Sequence, residues 1–164
     1  MNVDDLPLTG RLIAFDLGEV RIGVAVSDPG QIIASPMETL QVPRNDDRPL
    51  IDALVSAAER HEAEGIVLGH PRRLDGVDGS AAQRAKMVAA ALRERTQLPV
   101  AMFDERFSTV EAERLLLDAD LSRAERKGVV DRVAAAVILQ SALDAQRRRH
   151  ALTAPPVDTA RNAS

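Results

Sequence analysis

The 164-residue chain contains no cysteine, no tryptophan and no tyrosine, and phenylalanine occurs three times. Without cysteine there is neither a disulfide nor a thiolate metal site, and the three histidines are too scattered in sequence for a zinc cluster. Any metal is expected to have oxygen ligands. So few aromatic rings argue against base stacking on an aromatic platform, which leaves backbone contacts as the way to read a nucleic acid. Long apolar runs are also missing. No stretch approaches the roughly 18 consecutive apolar residues of a membrane span, and the acidic start MNVDDLPLTG has no apolar core of a signal peptide. A cytoplasmic protein without membrane contact is expected. The formal net charge of −4 runs against a general nucleic-acid binder, whose phosphate contacts favour a basic surface.

What is present fits one domain able to bury its own core, with 45% hydrophobic and 28% charged residues. Residues 11–17 and 20–27 are β-branched apolar runs separated by Gly-Glu, the pattern of a tight hairpin, and residues 31–40 extend it by a third antiparallel strand. Asn45 or Asp47 caps a helix whose apolar residues Leu50, Ile51, Leu54, Val55 and Ala58 recur at helical spacing, ending near His61. EGIVLGHP reads as a buried strand stopped by Gly69 and Pro71, followed by a polar loop. A capping box at Ser80 opens a helix with Met87, Val88, Ala91 and Leu92 on its apolar face, and Pro99 to Phe103 forms a further strand. Capping boxes at Ser108 and Ser122 start a helix through Leu117 and a short helical turn, before a last helix from about Gly128 to Arg148. Residues 1–10 are expected to be a flexible lead, 11–148 the domain, and 149–164 a disordered tail. The order βββ-α-β-α-β-α predicts an α/β fold, a five-stranded mixed sheet in the order 3-2-1-4-5 with helices on both faces.

In such sheets functional groups gather at the carboxyl ends of the parallel strands. Asp16 ends the first strand and Asp104-Glu105 the fifth. Asp16 also suits a hairpin turn, and Glu105 a solvated loop ahead of the helix at Ser108. Asp131 is followed three, four and seven residues on by Ala134, Ala135 and Ile138, so its helix face is apolar and a carboxylate there needs a partner. A first-turn acid favoured by the helix dipole and paired with Lys127 is the alternative. Together the three acids can converge. Converging carboxylates repel unless a cation lies between them, and oxygen donors select Mg²⁺ or Mn²⁺, which suits phosphodiester hydrolysis. The strand order sets strand five roughly 10 Å from strand one, so Glu105 must reach across strand four, where Gly69 offers no side chain to block it. Arg21, Arg72, Arg73, Arg106 and Arg132 fall near these acids as candidate phosphate contacts, each equally readable as a solvated surface arginine.

FDLGEVRIGVAVSD, ASPMETL, IVLGHPRRLDG, DERFSTVEAERLLL and KGVVDRVAAAVILQSALD, in this order, resemble the YqgF (RuvX-like) family of small bacterial nucleases from about residue 11 to 148. The resemblance implies an RNase H-like fold related to Holliday-junction resolvases, and an endonuclease that matures the 5′ end of pre-16S ribosomal RNA, with precursor rRNA, ribosomal precursor particles or branched DNA as partners. It carries the family's acids onto Asp16, Glu105 and Asp131. Gly69-His70-Pro71 stands where the family usually has Gly-Leu-Pro, and Arg72-Arg73 follows where an asparagine is common. His70 reads as a surface loop histidine, with a phosphate contact or protonation of a leaving group as the functional alternatives. Two other functions are weighed against the nuclease: a non-catalytic RNA-binding ribosome-assembly module, and an actin-like phosphotransferase suggested by Asp16-x-Gly18 alone. Junction resolution also calls for paired sites in a twofold dimer, and monomer or homodimer is left open.

Overall fold

In the computed structural model, residues 5–71, 79–105 and 123–153 are described. Strands β1 (Leu12–Leu17), β2 (Arg21–Ser27) and β3 (Ala34–Gln41) form the antiparallel meander, and α1 (Asp47–Arg60) leads to β4 (Gly65–Pro71). Helix α2 (Gly79–Thr96), strand β5 (Val100–Glu105) and the long helix α3 (Arg123–Thr153) follow. The sheet has the order β3-β2-β1-β4-β5, with β4 parallel to both β1 and β5, as expected from the sequence. The helix predicted between Ser108 and Leu117 lies outside the described residues.

Residue size alternates along the strands, and this decides what packs on each face. Ile13, Phe15 and Leu17 of β1, Ile22, Val24 and Val26 of β2, and Ile66 and Leu68 of β4 join one core with α1 and α2. On the opposite parity Ala14, Ala25 and Ala101, with the larger Leu12 and Val67, line the core that receives Ala135, Ile138, Leu139, Ala142 and Leu143 of α3. Gly23 and Gly69 continue this parity. A Cβ at Gly23 would overlap the main-chain carbonyl oxygen of Asp131, and one at Gly69 would press on the Ile138 side chain. The seating of α3 therefore supplies a direct reason for the glycine at Gly69.

Several local expectations shift. Asn45 adopts a left-handed φ of 64°, and the residue after it, Asp46, is the N-cap of α1, its Oδ1 accepting from the Arg48 amide at 3.2 Å. The inward face of α2 carries Val88, Ala91 and Leu92 as expected, together with Ala85 and Ala89, whereas Met87 is 46% exposed. An alanine-rich helix has no unique apolar stripe, so packing on the sheet sets its exact rotation and leaves Met87 outside the buried arc. Helix α3 begins before Gly128 and runs past Arg148 to Thr153, into the expected tail. The expected flexible lead is anchored in part: Leu6 is buried, and the amides of Gln31 and Gln146 both donate to the Pro7 carbonyl. Among the described residues no helix is long and apolar enough to cross a membrane.

Candidate active site

Asp16 continues the Leu12, Ala14 row of β1 that faces α3, and its register partners on the two neighbouring strands are Gly23 and Gly69. With no side chain on either neighbour, the Asp16 carboxylate lies in a trough floored by the sheet. Helix α3 closes this trough. Asp131 heads the buried stripe of Ala135, Ile138, Leu139 and Ala142, as the helical spacing predicted. The helix starts at Arg123, so Asp131 lies well inside it and the first-turn dipole account does not apply. Its counter-ion is Arg21, the first residue of β2, with Nε 3.3 Å from Oδ2.

The electrostatics of the pair are unusual for surface carboxylates. Burial, and secondarily the negative charge of Asp131, push the Asp16 carboxyl up to about 6. Burial also raises Asp131, while the Arg21 guanidinium opposes that rise. Asp131 Oδ2 is buried and accepts no hydrogen bond among the described residues, despite the nearby arginine. Such an oxygen is expensive to bury unless a cation completes it. Two desolvated, mutually repelling carboxylates, one with an unsatisfied oxygen, form a donor set that fits a hard divalent ion.

The third acid enters through its main chain. Glu105 ends β5, paired with Pro71, two residues beyond the Gly69 that pairs with both Asp16 and Phe103. The Glu105 side chain lies outside the described residues, as do Arg72, Arg73 and Arg106. His70 pairs with Asp104 in the β4–β5 ladder, so it belongs to the strand rather than to a loop. Arg132 is half-buried next to Asp131 on α3. Among the described residues no group of three or more His, Cys, Asp or Glu side chains is gathered as a metal site.

One cation near the site has no signal in the sequence. Arg84 of α2 donates from Nη1 to the Gly18 carbonyl at 2.8 Å, on the turn that follows Asp16. Within its helix this arginine reads as an ordinary solvated residue.

A family profile described as RuvX, Holliday junction resolvase, matches residues 10–145. The chain belongs to the RuvX family. Curated relatives carry the provisional name pre-16S rRNA nuclease. The one from Rhodobacter capsulatus is 48% identical over 139 residues, covering 85% of this chain and 86% of that protein. Its counterpart from Ruegeria pomeroyi is 44% identical over 142 residues, covering 87% and 91%. Among solved structures, Thermus thermophilus RuvC in complex with a Holliday junction substrate is similar, with a TM-score of 0.51, 13% identity and coverage of 84% of this chain and 95% of that one. Fowlpox virus resolvase bound to Holliday junction DNA gives a TM-score of 0.51 at 7% identity, covering 82% and 97%. At these identities the likeness is one of fold, the RNase H-like resolvase fold expected from the sequence blocks.

Proposed function

We propose that this RuvX-family chain is a divalent-metal-dependent endonuclease that hydrolyses nucleic-acid phosphodiesters, acting in 5′ maturation of pre-16S rRNA, with residues 11–148 as the nuclease domain. Asp16, Glu105 and Asp131 are its candidate metal-binding and catalytic carboxylates. The observation that carries the reading is the partly buried pair of carboxylates Asp16 and Asp131, with Asp16 raised to about 6 and Asp131 Oδ2 accepting no hydrogen bond among the described residues. When bound, Mg²⁺ or Mn²⁺ supplies the positive charge that activates water and stabilises the leaving oxygen of a phosphodiester.

The chain's own residues have separable tasks in this reading. Asp16 and Asp131 hold the ion from β1 and α3, and Glu105 completes the set from β5. Arg21 limits the repulsion between Asp131 and Asp16 before an ion or a phosphate arrives. Arg72, Arg73, Arg106 and Arg132, with Arg21, supply local positive charge to a phosphate backbone on a chain whose net charge is −4. The name of the curated relatives favours precursor rRNA as the substrate. The family description favours a second reading, resolution of branched DNA.

One experiment separates these readings. Purified protein is incubated with labelled precursor rRNA and with a four-way DNA junction, each with Mn²⁺, Mg²⁺ or EDTA, beside Asp131→Asn. Cutting of the RNA that EDTA and the substitution both abolish is the expected result. Preferential, symmetric cutting of the junction transfers the function to DNA, and RNA binding without cutting of either substrate supports the assembly-module alternative.

A further inference from the structure

We infer that Arg84 is a positioning residue for the acidic site, holding the β1–β2 turn so that Asp16 and Arg21 keep their places opposite Asp131. The inference rests on the reading of Asp16 as a metal-binding carboxylate.

The turn Gly18–Val20 is the short link between the strand carrying Asp16 and the strand opened by Arg21. It is closed by one main-chain bond, Gly18 N–H to the Arg21 carbonyl at 3.1 Å. The approach is so close that a Cβ at Gly18 would overlap the Arg21 carbonyl oxygen. The same residue's own carbonyl points the other way and accepts Arg84 Nη1 at 2.8 Å. Gly18 is thus gripped from both sides, by the turn itself and by α2.

The grip has a firm base. Ala85 and Val88, which flank Arg84 on its helix, are buried in the core beneath the sheet. The guanidinium is also oriented at its other edge, with Nε 3.5 Å from Oδ1 of Asp47, the first residue of α1. The Arg84 side chain is 28% exposed, so its charge is only partly screened. A planar fork fixed at two edges transmits position better than a flexible ammonium. Arg84 therefore links α1, α2 and the turn, from the sheet face opposite the one on which Asp16 and α3 meet. It acts on the carboxylates through the main chain and touches neither of them.

A cavity of about 350 Å³ lined by Glu19, Arg44, Asn45, Asp47 and Arg84 opens beside this turn. Its two arginines are each matched by an acid, Arg44 with Glu19 at 3.0 Å and Arg84 with Asp47. That balance favours a supporting role for Arg84 over capture of a phosphate.

The test uses the full chain as wild type, Arg84→Ala, Arg84→Gln and Arg84→Lys, with Asp16→Asn as control. Mn²⁺ binding is followed by electron paramagnetic resonance without substrate, and kcat and KM are measured on precursor rRNA. Arg84→Ala and Arg84→Gln are expected to weaken Mn²⁺ binding and lower kcat by about tenfold each, with KM within about twofold of wild type. Arg84→Lys, able to reach the same carbonyl but without the two-edged fork, is expected to recover part of the loss. Glutamine retains helix propensity, so it serves where alanine fails to fold. Unchanged Mn²⁺ binding and kcat in the Gln and Ala variants overturn the inference, and so does a raised KM at constant kcat, which makes Arg84 a substrate contact. Equal Mn²⁺ binding by wild type and Asp16→Asn removes the carboxylate-site reading and this inference with it. Loss of Mn²⁺ in Asp16→Asn alone removes only the role of Arg84.

Discussion

Gly23 lies directly beneath the main-chain carbonyl of Asp131, so that a Cβ on Gly23 would overlap that oxygen. Backbone therefore meets backbone at the point where α3 delivers its acid to the sheet. Asp16, the register partner of Gly23, takes its place beside this contact. A methyl group at Gly23 has to lift the helix, because no flexible side chain is available to yield. Gly23→Ala is expected to cost about 1–3 kcal/mol in urea unfolding and to abolish cleavage. A variant of full stability and activity would show that α3 does not rest on β2 in this way.

At Gly69 the obstacle is different, since the added Cβ meets the Cδ1 end of the Ile138 side chain. Gly69→Ala should therefore be repaired by Ile138→Val, which removes that terminal methyl. A double-mutant cycle is expected to give a favourable coupling of about 1 kcal/mol, whereas additive effects would contradict the contact.

Asp16 gives the metal-free protein a defined pH dependence. Its carboxyl is held at about 6 rather than 3.8, so the native chain binds that proton more tightly than the unfolded chain does. The contribution is fully present below about pH 4 and is lost as pH rises through about 6, amounting to on the order of 3 kcal/mol. In EDTA, denaturant unfolding of the wild type should show this loss between pH 4 and pH 7, superimposed on the other carboxylates. Asp16→Asn should be more stable than wild type at pH 7 and inactive. Equal stability of the two at pH 7 would count against a desolvated, charged Asp16.

Divalent ions should offset that cost. Addition of Mn²⁺ or Mg²⁺ at pH 7 is expected to raise Tm, with about 2.7 kcal/mol gained at a hundredfold excess over Kd. The gain should vanish in Asp131→Asn and reverse with EDTA. A Tm indifferent to both ions would remove the metal from the proposal.

The Arg21–Asp131 pair is partly exposed, so its removal is expected to be modest in stability, about 1 kcal/mol or less in Arg21→Met. Its electrostatic effect is clearer. Without the guanidinium, the Asp131 carboxyl should titrate higher than in the wild type, observable by carbon NMR of the side chain. An unchanged titration would mean that Arg21 is not the counter-ion.

Much of this architecture follows from local chemistry and was legible in the chain. The helical spacing of Leu50, Ile51, Leu54 and Val55 and the apolar face behind Asp131 each follow from how side chains project from a helix. The cap of α1 was misplaced by one residue because Asn45 turns through a left-handed conformation, a choice the flanking polar residues do not announce. On α2 Val88, Ala91 and Leu92 were placed correctly and Met87 was not, because alanine on every side leaves the exact rotation of the helix to the sheet.

The residues by themselves thus determined the order of elements, the strand order of the sheet, and the acids Asp16, Glu105 and Asp131 as candidates. Only the tertiary structure decided that Asp131 meets Arg21 of β2, that Gly69 makes room for Ile138, and that Arg84 bonds a turn 66 residues away in sequence. The physical reason is that spacing along a chain encodes which way a side chain leaves its own strand or helix. Which partner it finds depends on the register of strands and the seating of helices, and these are set by the packing of residues far apart in the sequence.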